Sequence, residues 1–375
     1  MHCAPTMQSI GCEAQVPMPQ QKNVIFIVLD TLRRDRLTSY GNVRNISPEF
    51  DAFAQRGSLF QRAIAPAQWT MPSHASMFTG VYPSTHQLIE AFGQLDGSYA
   101  TLPEILQLEG YHTVAFCNNP LVGLVENGLQ RGFDGFYNYC GASPNRPFDM
   151  ATLPGQRALT KRFRRFVRYM SQQFTTNYAL FHLMLKPQFA TFWQHAINYK
   201  GNTERSINDF IAYWNQHQKT GDQPLFAFLN MMGAHSPYHP PQEYLQKIEP
   251  DLANDKKVRA FIHHFNVNVA GWASPIEEPP PQWEQDAIDL YYQAEVMYQD
   301  MQIGRLLHAV EKSGGLDNTM IIILADHGLA NSIYGVGWHI VLNDGRDSSR
   351  YWLADALPDL SGCVCHFTIY CFLAL

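Results

Sequence analysis

The sequence predicts an α/β fold, a mostly parallel sheet flanked by helices on both faces. Three observations carry that reading. Apolar runs at 23–29, 112–117, 225–230 and 319–325 have the continuous pattern of strands buried on both faces. Helical segments with recognisable caps alternate with these runs, as crossover connections do in a parallel sheet. The chain has 375 residues, 46% hydrophobic and 16% charged, enough to bury one large core without a disulfide framework.

Along the chain, residues 1–21 read as a flexible leader. The run Asn23–Leu29 is rich in β-branched residues and opens the sheet. Ser47, Pro48 and Glu49 start a short helix with a cap and a first-turn proline, closed by Gly57. Residues 68–80 read as a loop entering a short helix, with Pro72 in its first turn and Gly80 just past its end. Thr101 begins another helix, closed by Gly110, which leads into the strand His112–Cys117. Within 155–220, the basic, aromatic-rich stretch Lys161–Arg168 predicts an amphipathic helix packed on the sheet. The third strand follows at 225–230. Residues 245–285 carry Pro279, Pro280 and Pro281 with little periodicity and read as loop-rich, part of an excursion over about 140–285. A long helix at about 284–312 places Leu290, Ala294, Met297, Met301 and Gly304 along one face. Gly314 and Gly315 end it before the fourth strand, Thr319–Ala325.

Composition excludes several function classes. With 27 Lys+Arg against 33 Asp+Glu, the formal charge of −6 argues against nucleic acid as the main partner. The small charged fraction excludes disorder and coiled coil. Seven cysteines at irregular spacing read as reduced thiols rather than a secreted disulfide scaffold. The first twenty residues lack a basic start and an apolar core, and no run reaches the roughly 18 apolar residues of a membrane span. A cytoplasmic protein with no membrane span is expected.

The chemistry collects where the strands end. The first run ends in Asp30, the second in Asn118 and Asn119, the third leads to His235, and the fourth ends in Asp326 and His327. Ligands of open α/β sheets bind beyond the carboxyl ends of the strands, so these residues converge on one edge. Asp and His there suit one divalent metal ion: Mg, Mn, Ca or Zn. Thr70 falls at the start of the short helix, where free N–H groups and the helix dipole favour an anion. Its hydroxyl reads either as a plain helix cap or, beside a divalent cation, as a nucleophile.

These same residues carry a resemblance. Val28 to Gly41, reading VLDTLRRDRLTSYG, looks like the opening motif of the sulfatase family within the alkaline phosphatase superfamily. Residues 68–80 resemble that family's nucleophile motif, and Gly233 to Pro241 its mid-chain histidine motif. Tyr291 to Gly328 is similar to its long helix and metal strand, so the resemblance spans about 22–339 in the family's order. It implies a sulfatase-like catalytic domain over 22–345, followed by an atypical tail at 346–375. The C-terminal subdomain of such relatives is expected to be missing. It also implies that Asp30, Asp326 and His327 bind the metal with the Thr70 oxygen, and that Thr70 attacks sulfur or phosphorus. His235 would contact the transferred group or the leaving group. His339 lies in the region where relatives place a Lys or His near the leaving group. Asn119 becomes a candidate oxyanion donor, and His74 a candidate substrate-binding residue because it replaces the motif's arginine.

Departures from the family pattern shift the expected chemistry. Family sulfatases need Cys or Ser within C/S-x-P-S-R for conversion to formylglycine, whereas the string here is Thr70-Met71-Pro72-Ser73-His74. Threonine cannot yield that aldehyde hydrate, so the reading leans toward phosphorus. The paired acidic residues of the first strand have become Asp30 and Thr31, and Met231 stands where a second metal site would need Asp. One metal is therefore expected, not two. The expected function is hydrolysis of a small anionic ester, phosphodiester or phosphonate ahead of sulfate. The alternatives are a catalytically degenerate sulfatase-fold binding protein and a phosphoryl-group transferase.

Overall fold

A computed structural model describes residues 21–91, 93–140, 145–147, 179, 199–268, 280–328, 366–367 and 369–372. In chain order the elements are strand β1 (Asn23–Leu29), helix α1 (Pro48–Ala54), short strands β2 (Ser58–Leu59) and β3 (Ala63–Ile64), and helices α2 (Thr70–Thr79), α3 (Pro83–His86) and α4 (Leu102–Leu108). Strand β4 (His112–Cys117), helix α5 (Pro120–Gly123) and strand β5 (Gly135–Asn138) follow. Then come helix α6 (Thr203–Thr220), strand β6 (Leu225–Met231) and helices α7 (Gln242–Ile248), α8 (Pro250–Asn254), α9 (Lys256–Val267) and α10 (Gln282–Lys312). Strands β7 (Thr319–Ala325), β8 (His366–Phe367) and β9 (Ile369–Phe372) complete the set.

The sheet runs β2-β9-β7-β1-β6-β4-β5. From β7 to β5 every pairing is parallel, and β9 closes the far side antiparallel to β7 and β2. The four strands expected from the apolar runs are the four central ones. Their side chains alternate between two cores, as period-two geometry requires. Ile25, Ile27 and Leu29 face one core with α1, α6 and α10, while Phe26 and Val28 face the other with α2, α4 and α5. Both faces being covered explains why the strands read as continuous apolar runs.

The helix starts follow local rules. Thr101 and Glu104 form a reciprocal capping box at α4, and Gly80 closes α2 in the left-handed conformation at φ +72°. Two expectations are corrected. Much of 245–285 is helical: α8, α9 and the end of α7 occupy 245–267, and α10 begins at Gln282. In α9 the apolar residues Val258, Phe261, Ile262 and Phe265 step by three and four onto the core, a pattern short enough to be masked by the surrounding polar residues. Helix α10 is also buried on several sides rather than along one stripe, because α1, α6, α7 and α9 all pack on it. The expected amphipathic helix at 161–168, His339 and residues 346–365 of the tail lie outside the described residues.

Candidate active site

The carboxyl edge of the parallel strands gathers Asp30, Thr70, Asn119, His235, Asp326 and His327. Asp30 leaves β1 and Asp326 leaves β7, adjacent strands in register, so their side chains emerge side by side and fully buried. The backbone turns sharply after β1: Thr31 adopts φ +59°, unusual for a β-branched residue. Its N–H donates to Asp326 Oδ1 at 3.1 Å, and its carbonyl accepts from the Tyr292 hydroxyl of α10 at 2.9 Å. These bonds hold a strained turn that aims Asp30 into the site.

Three groups then converge as metal-ligating residues do. His327 Nε2 lies 3.6 Å from Asp30 Oδ1 and 3.5 Å from Asp326 Oδ2. Its Nδ1 donates to the Gly328 carbonyl at 2.9 Å, which leaves Nε2 as the lone-pair nitrogen facing the carboxylates. Asp30 Oδ1 and Asp326 Oδ2 are buried with no hydrogen-bond donor. Among the described residues, Asp30, Asp326 and His327 are the group whose ligand atoms all lie within 4.8 Å of one another. Without a cation, burial and the neighbouring Asp326 charge push the Asp30 carboxyl up to about 6, and burial pushes Asp326 up to about 7. Burial holds the His327 imidazole below its ordinary value. Two unpaired carboxylate oxygens facing an imidazole lone pair form a cluster of acceptors. A divalent cation is the chemical group that such a donor set fits.

Thr70 is the first residue of α2, with Trp69 at the cap position, so the plain-cap alternative for its hydroxyl does not hold. Thr70 Oγ1 instead donates to Asp30 Oδ2 at 3.4 Å and lies 3.5 Å from His327 Nε2. His74, one turn later, is fully buried. Its Nδ1 donates to the Thr70 carbonyl at 2.9 Å and its Nε2 accepts from the Asn230 amide at 2.6 Å. Burial drives its imidazole down to about 4, so it is neutral and braces the first turn of α2 from beneath. The Asn119 amide is likewise engaged: it donates to Asp30 Oδ2 at 2.6 Å while its oxygen caps α5 through Leu121 N–H. Both residues are directed at Asp30 and Thr70 rather than at open space.

His235 sits at the rim on the loop after β6, half-buried, its Nδ1 against the Ser236 carbonyl. Burial lowers its pKa and the Asp30 carboxylate opposes that shift, which places the ring within electrostatic reach of the cluster. One residue near this loop had no motif to announce it. Lys200 reaches the His235 loop from the turn before α6, and its partners lie 33, 37 and 95 residues away.

A mostly parallel sheet with both faces covered and an Asp–Asp–His cluster at its carboxyl edge defines an α/β fold shared with a solved phosphonate monoester hydrolase. The sulfatase family model matches residues 22–339, and the chain belongs to that family. It is 25% identical over 338 residues to iduronate 2-sulfatase of Mus musculus, covering 84% of this chain and 55% of the relative. An arylsulfatase of Clostridium perfringens is 22% identical over 327 residues, covering 82% and 63%. Among solved structures, the phosphonate monoester hydrolase of Agrobacterium radiobacter aligns with a TM-score of 0.51 at 22% identity, covering 82% of this chain and 63% of that one. The chain thus spans between half and two thirds of the length of these relatives.

Proposed function

We propose that this chain hydrolyses small anionic esters in a metal-dependent reaction with Thr70 as nucleophile, acting on phosphodiesters and phosphonate esters ahead of sulfate esters. The observation that carries the reading is the Thr70 hydroxyl, 3.4 Å from Asp30 and 3.5 Å from His327, beside the cluster of unpaired acceptors. Asp30, Asp326 and His327 would hold the divalent cation, whose charge lowers the pKa of a neighbouring hydroxyl and offsets charge on the transferred group.

The residues of the chain divide the remaining work. His74 and Asn119 fix Thr70 and Asp30, so the nucleophile meets the substrate in one orientation. The free N–H groups at the start of α2 and the His235 ring bind the nonbridging oxygens. Attack by Thr70 Oγ1 forms an oxygen–phosphorus bond as the bond to the leaving alcohol breaks, and His339 is assigned to protonate that alcohol. Water then releases the group from Thr70. A threonine side chain cannot become the formylglycine hydrate of family sulfatases, and this supports phosphorus over sulfur.

The test compares chromogenic sulfate monoesters, phosphate monoesters, phosphate diesters and phosphonates with Mn, Mg, Ca or Zn, for wild type beside Thr70→Ala. The expected result is diester or phosphonate turnover that falls on the order of a thousandfold or more in Thr70→Ala. Sulfate turnover that depends on Thr70 would overturn the phosphorus preference. Equal rates for the two proteins would overturn the nucleophile assignment and favour a binding protein on the same fold.

A further inference from the structure

The mid-chain loop that carries His235 is held by a largely buried ion pair whose lysine, Lys200, lies outside every sequence motif. The Lys200 ammonium donates to the Gly233 carbonyl at 2.8 Å, to the Pro237 carbonyl at 3.0 Å and to Glu295 Oε1 at 2.9 Å. That occupies all three of its protons. The two carbonyls stand two residues before and two residues after His235, so the loop is gripped on both sides of the ring. Glu295 Oε1 also accepts the His239 N–H at 2.8 Å, which ties the same loop to α10 a second time. One turn further along α10, Gln299 fills the space beside Gly233: a Cβ there would lie 1.8 Å from its Nε2. Tyr238 is fixed from α9, where Asn266 exchanges two 2.8 Å bonds with its N–H and carbonyl.

A lysine spent wholly on backbone carbonyls and one buried carboxylate has no proton left for a substrate. Its position still matters to the chemistry, because a shift of about an ångström in a catalytic group costs large factors in rate. Charge-assisted hydrogen bonds at low exposure hold such a loop more firmly than neutral ones. We propose that Lys200, paired with Glu295, is a positioning residue that fixes the 233–239 loop and acts on catalysis through His235. The proposal rests on the hydrolase reading for its catalytic part, and on geometry alone for the fixing of the loop.

The experiment is a double-mutant cycle with an exchange measurement alongside. Lys200→Met/Glu295→Gln removes both charges together, so no unpaired buried carboxylate is left; Lys200→Met alone serves as the harsher variant. Each is made in wild type and in His235→Ala. Positioning through His235 predicts a fall in kcat of about 10- to 100-fold with KM within about threefold. In the His235→Ala background the same change should alter kcat less than about twofold. Amide hydrogen exchange at 233–239 should rise in the charge-removed variants while β1 and β6 stay protected. Equal losses in both backgrounds, or unchanged exchange at 233–239, would overturn the proposal. Loss of folded structure in both variants would make Lys200 a folding element and overturn it too. If wild type turns over no ester, the hydrolase reading falls by itself, and the exchange measurement still decides whether Lys200 holds the loop.

Discussion

Asp30 and Asp326 are buried side by side and repel each other when both are charged, and the way that repulsion is relieved sets the behaviour of the site. With no cation, both carboxyls hold a proton more tightly in the folded chain than at the ordinary value of 3.8, up to about 6 and about 7. Between about pH 4 and pH 7 the folded state therefore binds more protons than the unfolded one. The stability these two groups contribute is present below about pH 4 and is lost as pH rises through 6 to 7. A divalent cation bound there would compete with those protons and replace them at neutral pH. Thermal melts in EDTA and in excess Mn at pH 5 and pH 7.5 should show a larger metal-induced rise at pH 7.5. At a hundredfold excess over Kd the stabilisation is about 2.7 kcal/mol. Asp326→Asn should abolish that rise and flatten the pH dependence in EDTA. An equal metal-induced rise at both pH values would sink this account of the cluster.

At the scale of elements, α10 organises more of the molecule than its length suggests. Its Tyr292 holds the turn after β1, its Glu295 anchors the Lys200 pair, and its Asp300 accepts the Glu49 and Phe50 N–H groups at the start of α1 at 3.1 and 2.8 Å. That last contact is a helix cap supplied from 250 residues away. Asp300→Ala leaves buried donors without an acceptor and should cost about 1–3 kcal/mol in urea unfolding, with m unchanged. Asp300→Asn keeps one acceptor oxygen and should cost less; equal stability of Asp300→Ala and wild type would deny the cap. These contacts also mark where sequence reading stops. Thr101 with Glu104, and Gly80 after α2, are legible because cap and partner lie within one helical turn. Asp30, Asp326 and His327 are legible because each follows an apolar run that can only be a strand. Lys200, Glu295 and Asp300 meet their partners across 33 to 251 residues, and no local pattern encodes such distances. The pairing of Asn119 with Asp30 was hidden for the same reason: the residue was legible at a strand end, its partner was not.

For the whole molecule, the order of the sheet decides which parts are rigid enough to hold the site. Strands β7, β1 and β6 lie at its centre, each paired on both sides, and supply Asp326, Asp30 and the loop to His235. Their inward residues, among them Ile25, Ile27, Leu229 and Ile323, are fully buried or nearly so. A strand hydrogen-bonded on both edges and covered on both faces opens only when the whole domain opens. Helices α7, α8 and α9 are short and follow one another with polar breaks, and α7 and α9 pack on α10 rather than on the sheet's central strands. They are expected to open while the sheet stays closed. Native-state hydrogen exchange in the metal-loaded protein should therefore show two levels of protection. Amides of β1, β6 and β7 should exchange at the free energy of global unfolding, with a denaturant dependence matching the equilibrium m. Amides of 242–267 should exchange faster and with a smaller denaturant dependence. If the 242–267 amides track global unfolding as β1 does, these helices belong to the same cooperative unit as the site. The loop to His235, tied to α9 through Tyr238 and Asn266, would then be as rigid as the strands that carry Asp30 and Asp326.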